Sequence, residues 1–93
     1  MTNIRLKNGF GQICNDIIRN PNISLRDKGV YSYLVCFANN ETNELFVSVN
    51  KIASECGVTP STIKRCLKAL VKNNIIARVS IGYHKSYKTI ILK

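Results

Sequence analysis

An α+β fold is predicted, a three-helix core closed by a C-terminal two-stranded β-hairpin, and three observations predict it. Apolar residues recur at three- and four-residue spacing over residues 24–37 and again over 52–70, as in helices with one buried face. The second run is broken at Gly57-Val58-Thr59-Pro60, which ends one helix and starts another. Two runs rich in β-branched residues, 75–81 and 87–92, flank Gly82-Tyr83-His84-Lys85-Ser86, and strand, glycine-containing loop, strand signals a hairpin. At 93 residues the chain has the size of one small domain, taken as 1–93. An arm is assigned to 1–22, a two-helix unit to 48–73 and the hairpin to 75–92.

Each element has a local cause. The arm carries Gly9 and Gly11 around Phe10, and Ile13, Ile17 and Ile18 allow a brief helix within 12–20, closed by Asn20-Pro21. Ser24 caps the first long helix, with Asp27 where a capping box has its carboxylate. Leu25, Val30, Tyr33, Leu34 and Phe37 are its expected buried stripe, and Gly29 its expected point of close helix contact. A polar turn, Asn39-Asn40-Glu41-Thr42-Asn43, follows, and then Leu45-Phe46-Val47 as a short strand.

Ser48 caps the next helix, which places small Ala53 where another helix must cross. Gly57 ends it in a left-handed turn, and Val58 is expected to plug the gap between the helices. Thr59 caps the third helix and Pro60 takes its first position, where a missing amide costs nothing. Ile63, Leu67 and Leu70 form its inner stripe, and Asn73-Asn74 ends it. Two helices joined by a glycine-containing turn of three to four residues make a helix-turn-helix, and the hairpin behind it makes the fold a winged one.

Composition removes several classes. Hydrophobic residues are 45% of the chain and charged ones 20%, too apolar for a disordered protein. The longest apolar stretch, 31–38, falls far short of the ~20 residues of a membrane span. No apolar h-region follows Met1, so no signal peptide is expected and a cytoplasmic location is. Cys14, Cys36, Cys56 and Cys66 stand far apart, with no Cys-x-x-Cys pair and only His84 as a histidine. Zinc ligands come in closely spaced pairs, so no metal or other cofactor is expected, and the thiols are read as reduced and buried.

Charge supplies the functional direction. Residues 1–50 hold five basic and four acidic side chains, whereas 51–93 hold nine basic ones and Glu55 alone. Nearly all of the formal +9 therefore comes from the second half, which suits a surface that meets a polyanion. On the third helix Ser61, Lys64, Arg65, Lys68 and Lys72 fall on the face opposite the inner stripe. In a helix-turn-helix that face enters the major groove N-terminus first, so Thr59, Pro60 and Ser61 approach DNA together with Lys64 and Arg65. Lys51, and Tyr83, His84, Lys85 and Lys88 of the wing, are placed on flanking backbone or in a minor groove.

The span from about 24 to 76 resembles the winged helix-turn-helix domain at the N-terminus of plasmid replication initiators and phage replisome organisers. The resemblance rests on Leu25-Arg26-Asp27-Lys28-Gly29-Val30-Tyr31-Ser32-Tyr33-Leu34, on Phe46-Val47-Ser48, and on Ile52-Ala53, Gly57-Val58 and Thr62-Ile63-Lys64-Arg65-Cys66-Leu67 through Leu70. Asn74 stands where that family usually has glycine. It implies binding to double-stranded DNA of a mobile element, at an origin of replication or transfer or at a promoter. Partners implied are the DNA, a second copy on repeated sites, and other replication or transfer proteins, with no membrane. Two other readings are a winged-helix protein-interaction module, either an accessory subunit or an inhibitor, and a single-stranded DNA binder that stacks bases on Tyr83 and Tyr87. No enzyme is expected: the single histidine falls at a hairpin tip, and no Gly-x-x-x-x-Gly-Lys-Ser/Thr loop occurs.

Overall fold

Serine, serine and threonine start the three long helices, each by accepting a first-turn amide that has no partner within its helix. A computed structural model describes residues 13–39, 41–81 and 87–93. A single turn, α1 (Asn15–Ile18), buries Ile17 and is the brief helix allowed for this stretch. In α2 (Leu25–Phe37), Ser24 Oγ accepts the Asp27 amide at 3.1 Å. After β1 (Glu44–Leu45) comes α3 (Val49–Cys56), where Ser48 Oγ accepts the Lys51 amide at 3.1 Å. In α4 (Pro60–Lys72), Thr59 Oγ1 accepts the Thr62 amide at 3.3 Å behind Pro60. The chain then runs through β2 (Ile76–Ser80) and β3 (Tyr87–Ile91). Gly9, Phe10 and Gly11 of the arm lie within 1–12, outside the described residues.

α3 and α4 stop in the same way. At Gly57 φ is +72°, and at Asn74 it is +60°, the left-handed region that glycine enters freely and asparagine at small cost. The amide one residue further on then reaches back five residues: Val58 to the Ala53 carbonyl and Ile75 to the Leu70 carbonyl, both at 3.0 Å. Ile75 thereby swings into the core beside Leu70, and β2 starts at once.

The sheet has three strands in the antiparallel order β1-β3-β2, the short strand expected at 45–47 forming at Glu44–Leu45 and joining the two-stranded hairpin. β1 pairs Glu44 with Ile90 and Leu45 with Thr89, and so covers what would be an open edge of β3. Lys88 Nζ and Glu44 Oε2, 3.3 Å apart, brace this edge. Of Leu45-Phe46-Val47 only Leu45 is in the strand; Phe46 is exposed and turns the chain toward Ser48.

The core gathers Tyr31 and Leu34 of α2, Ile52 and Ala53 of α3, Ile63, Cys66, Leu67 and Leu70 of α4, and Leu45, Ile75 and Ile76. Four expectations need correction. The buried face of α2 is Val30, Tyr31, Leu34 and Val35, with Tyr33 half-buried, Phe37 exposed and Leu25 86% exposed. At about 100° per residue Leu25, five positions before Val30 and so outside the three- and four-residue spacing, points roughly 150° away from that face's centre, whereas Val30 and Leu34 are buried as expected. Gly29 is no contact point, since a Cβ built there meets nothing within 4 Å. Val58, 38% exposed, sits at the rim of the helix crossing and does not plug it. The thiols divide as well: Cys66 is buried and Cys14 partly so, but Cys36 and Cys56 are exposed on the outer sides of α2 and α3.

Candidate nucleic-acid interface

Four inward residues of α4 determine what its other side can show. With Ile63, Cys66, Leu67 and Leu70 buried, the helical period leaves Ser61, Lys64, Arg65, Lys68 and Lys72 outward, and all five are exposed. Thr59 and Pro60 are exposed at the same helix's N-terminus. No carboxylate pairs with any of these cations among the described residues, where Lys88–Glu44 is the one ion pair. The spacing also sets like charges side by side: Lys64 with Lys68, Arg65 with Lys68, and Lys68 with Lys72. Such pairs disfavour a helix by about 0.2–0.5 kcal/mol each, a cost that a bound polyanion removes.

The remaining predicted residues are placed differently. Lys51 is exposed on α3 with its Nζ 5.8 Å from the centre of the Phe37 ring, and Phe37 lies 4.7 Å from Tyr33 in a tilted pair. The Tyr33 hydroxyl donates to Glu55 Oε1, and burial together with that carboxylate raises its pKa. Lys51 is thus set by an aromatic pair and stands on a different helix from the α4 row. Lys88 is half-neutralised by Glu44 on the sheet's outer face. Tyr83, His84 and Lys85 lie outside the described residues.

Three further side chains lie outside the set expected on duplex DNA, Arg26 beside α4 and Arg78 with Tyr87 in the hairpin. Arg26, in the first turn of α2, lines a shallow groove against α4 together with Ser24, Asp27, Thr62, Arg65, Cys66 and Ala69. Arg65 therefore stands on the α2 side of its helix. Burial, helped by the Asp27 carboxylate, pushes the Cys66 thiol at the floor of this groove up to about 11. Arg78 of β2 lies over the Tyr87 ring of β3, 4.4 Å from its centre, a contact of about 0.5–1 kcal/mol where solvent reaches it. Arg26 carries no sequence signal beyond its charge. Arg78 and Tyr87 do, because two-residue alternation with Ile76 puts Arg78 on the inner side of the sheet.

No helix among the described residues is long and apolar enough to cross a membrane, and those residues hold no group of three potential metal ligands. Comparison with known families matches residues 22–76, from the residue after Pro21 to the first residue of β2, to the model of a helix-turn-helix domain. Comparison with curated proteins finds no match.

Proposed function

Because the chain belongs to the helix-turn-helix family, which supports DNA binding, we propose that it reads duplex DNA sequence-specifically for a plasmid, phage or other mobile element. The observation that carries this reading is the unpaired row Lys64, Arg65, Lys68 and Lys72 on the exposed side of α4, behind Thr59, Pro60 and Ser61. In this reading α4 lies in the major groove, Arg65 forks onto a guanine, and Lys64 and Lys68 hold phosphates. Lys51 and the wing, with Tyr83, His84, Lys85 and Lys88, rest on flanking backbone. The whole of 1–93 acts as one winged domain that pairs on repeated or inverted half-sites, since one such domain offers few base contacts.

Sites of action are an origin of replication, an origin of transfer or a promoter. Support for this context is the resemblance of residues 24–76 to the N-terminal domain of replication initiators and replisome organisers. The test is enrichment of duplexes from a random-sequence pool, followed by footprinting on the source replicon. A single enriched motif, protected as repeats beside a replication gene, a nick site or a promoter, is the expected result, and each location selects one of the three roles. Enrichment of no motif, with equal binding to all duplexes, would refute sequence reading. Preference for the single strands of an enriched duplex would favour base stacking instead.

A further inference from the structure

We propose that the outer face of the sheet is a docking surface for the chain's own N-terminal arm, residues 1–12, laid across it with Ile4 and Leu6 inward. This docking goes beyond duplex binding and does not depend on it. Directly opposed residues of antiparallel strands share a face, and Leu45, Ile76 and Thr89 are buried on the inner one. Two-residue alternation puts Ala77, Val79 and Ile90 on the outer face, and Ile81 and Leu92 continue it just past the ends of β2 and β3. Val79, Ile81 and Leu92 are exposed, and Ala77 and Ile90 are only half-buried. The charged residues on that face, Lys88 and Glu44, neutralise each other. What is left between the two ends is an apolar stripe, the kind of surface that marks an interaction site.

Size selects the occupant. Three strands about 4.8 Å apart and five residues at about 3.3 Å each give a face of about 17 by 14 Å, roughly 240 Å². A stable pair of separate proteins buries about 800 Å² on each side, so this face alone holds a second copy or a free partner poorly. A tethered segment needs far less, because its effective concentration is of millimolar order. The arm is tethered in the right place. The Cys14 amide donates to the Tyr31 hydroxyl at 3.0 Å, and that hydroxyl donates to the Lys93 carbonyl at 2.9 Å. The arm therefore joins the domain beside Lys93, next to Leu92, where the stripe ends. Its twelve residues reach at most about 40 Å, more than twice the length of either hairpin strand.

The sequence of the arm suits one orientation. Ile4 and Leu6 alternate with Asn3, Arg5 and Lys7, so an extended segment has its aliphatic side chains on one side and its charges on the other. Laid on the stripe, it removes Ile4 and Leu6 from water and leaves Arg5, Lys7 and the outer backbone groups solvated. A slip of one residue would press Arg5 and Lys7 onto the stripe, where the one carboxylate, Glu44, is already paired. Gly9 and Gly11, between this segment and Cys14, let the chain turn the corner onto the face.

The test uses the full chain without DNA, with its Ile, Leu and Val methyls labelled for nuclear Overhauser measurements. Cross-peaks are expected from the Ile4 and Leu6 methyls to those of Val79, Ile90 or Leu92. Replacing both arm residues, Ile4→Ser with Leu6→Ser, should shift the sheet methyl resonances and lower the melting temperature by about 4–8 °C. Arg5→Ser with Lys7→Ser should leave the cross-peaks in place. Absence of these cross-peaks, or cross-peaks from Ile4 and Leu6 to another face of the domain instead, would overturn the docking. So would cross-peaks seen only between differently labelled copies in a mixed sample, since the occupant would then be a second copy. None of these results bears on whether α4 reads a duplex, which the enrichment experiment decides separately.

Discussion

Arg65 and Lys68 differ in chemistry more than in position. Both are exposed on α4, but the planar guanidinium of Arg65 matches a guanine edge bidentately, whereas the ammonium of Lys68 is a point charge suited to any phosphate. Arg65→Ala is expected to cost about 1–3 kcal/mol and to relax one base position. Lys68→Ala should weaken all duplexes alike and flatten the salt slope by about one. Titrations of the enriched and scrambled duplexes at several salt concentrations separate the two, and equal losses for Arg65→Ala would take it out of base reading. Tyr31 makes a structural counterpart. Its ring is wholly buried, and its hydroxyl accepts the Cys14 amide at 3.0 Å and donates to the Lys93 carbonyl at 2.9 Å. Tyr31→Phe is expected to cost about 1 kcal/mol in urea unfolding, at the low end for an unsatisfied pair because water reaches exposed Lys93.

At the level of elements, two glycines that look alike in the sequence do opposite things. Gly57 is at φ +72° and allows α3 to end and α4 to start at the crossing angle the core needs. Gly29 is in mid-α2, with nothing within 4 Å of an added Cβ and no left-handed backbone. Thermal melts should therefore separate them. Gly29→Ala is expected to stabilise by about 0.5–1 kcal/mol through helix propensity, and Gly57→Ala to destabilise by about 1–2 kcal/mol through left-handed strain. The helix starts at Ser24, Ser48 and Thr59, the glycine stop and the exposed face of α4 were all legible, because each depends on residues within four positions of one another. The pairing of the short strand was not. Two residues, Glu44 and Leu45, pair with partners more than forty positions later, and no local pattern announces such a pairing.

At the scale of the whole molecule, alkaline stability follows from burial. The Cys66 thiol is raised to about 11 by desolvation and then by Asp27, and burial raises both Tyr31 and Tyr33. In each case the unfolded chain gives up its proton at lower pH than the folded one, so stability present below the unfolded pKa is lost as pH rises through the folded one. For Cys66 that window opens near 9 and closes near 11. The melting temperature is expected to decline across it, and Cys66→Ala should lower the starting value yet flatten the decline. A thiol reagent at pH 8 should meanwhile label Cys36 and Cys56 quickly and Cys66 only on unfolding; equal rates would contradict the burial that sets this window.

Sequence alone determined where the helices start and stop, which side of α4 carries charge, and that the second half of the chain supplies the positive field. Those properties are set by the periodicity of neighbouring residues and by side chains that bond their own backbone. Tertiary structure decided which face of α2 is buried, which edge of β3 is covered, and which cations stay unpaired. Each of these depends on what a distant segment brings into contact: α4 against Tyr31 and Leu34, Glu44 beside Lys88, and Tyr87 beneath Arg78. Spacing along a chain does not encode such distances until the core has closed.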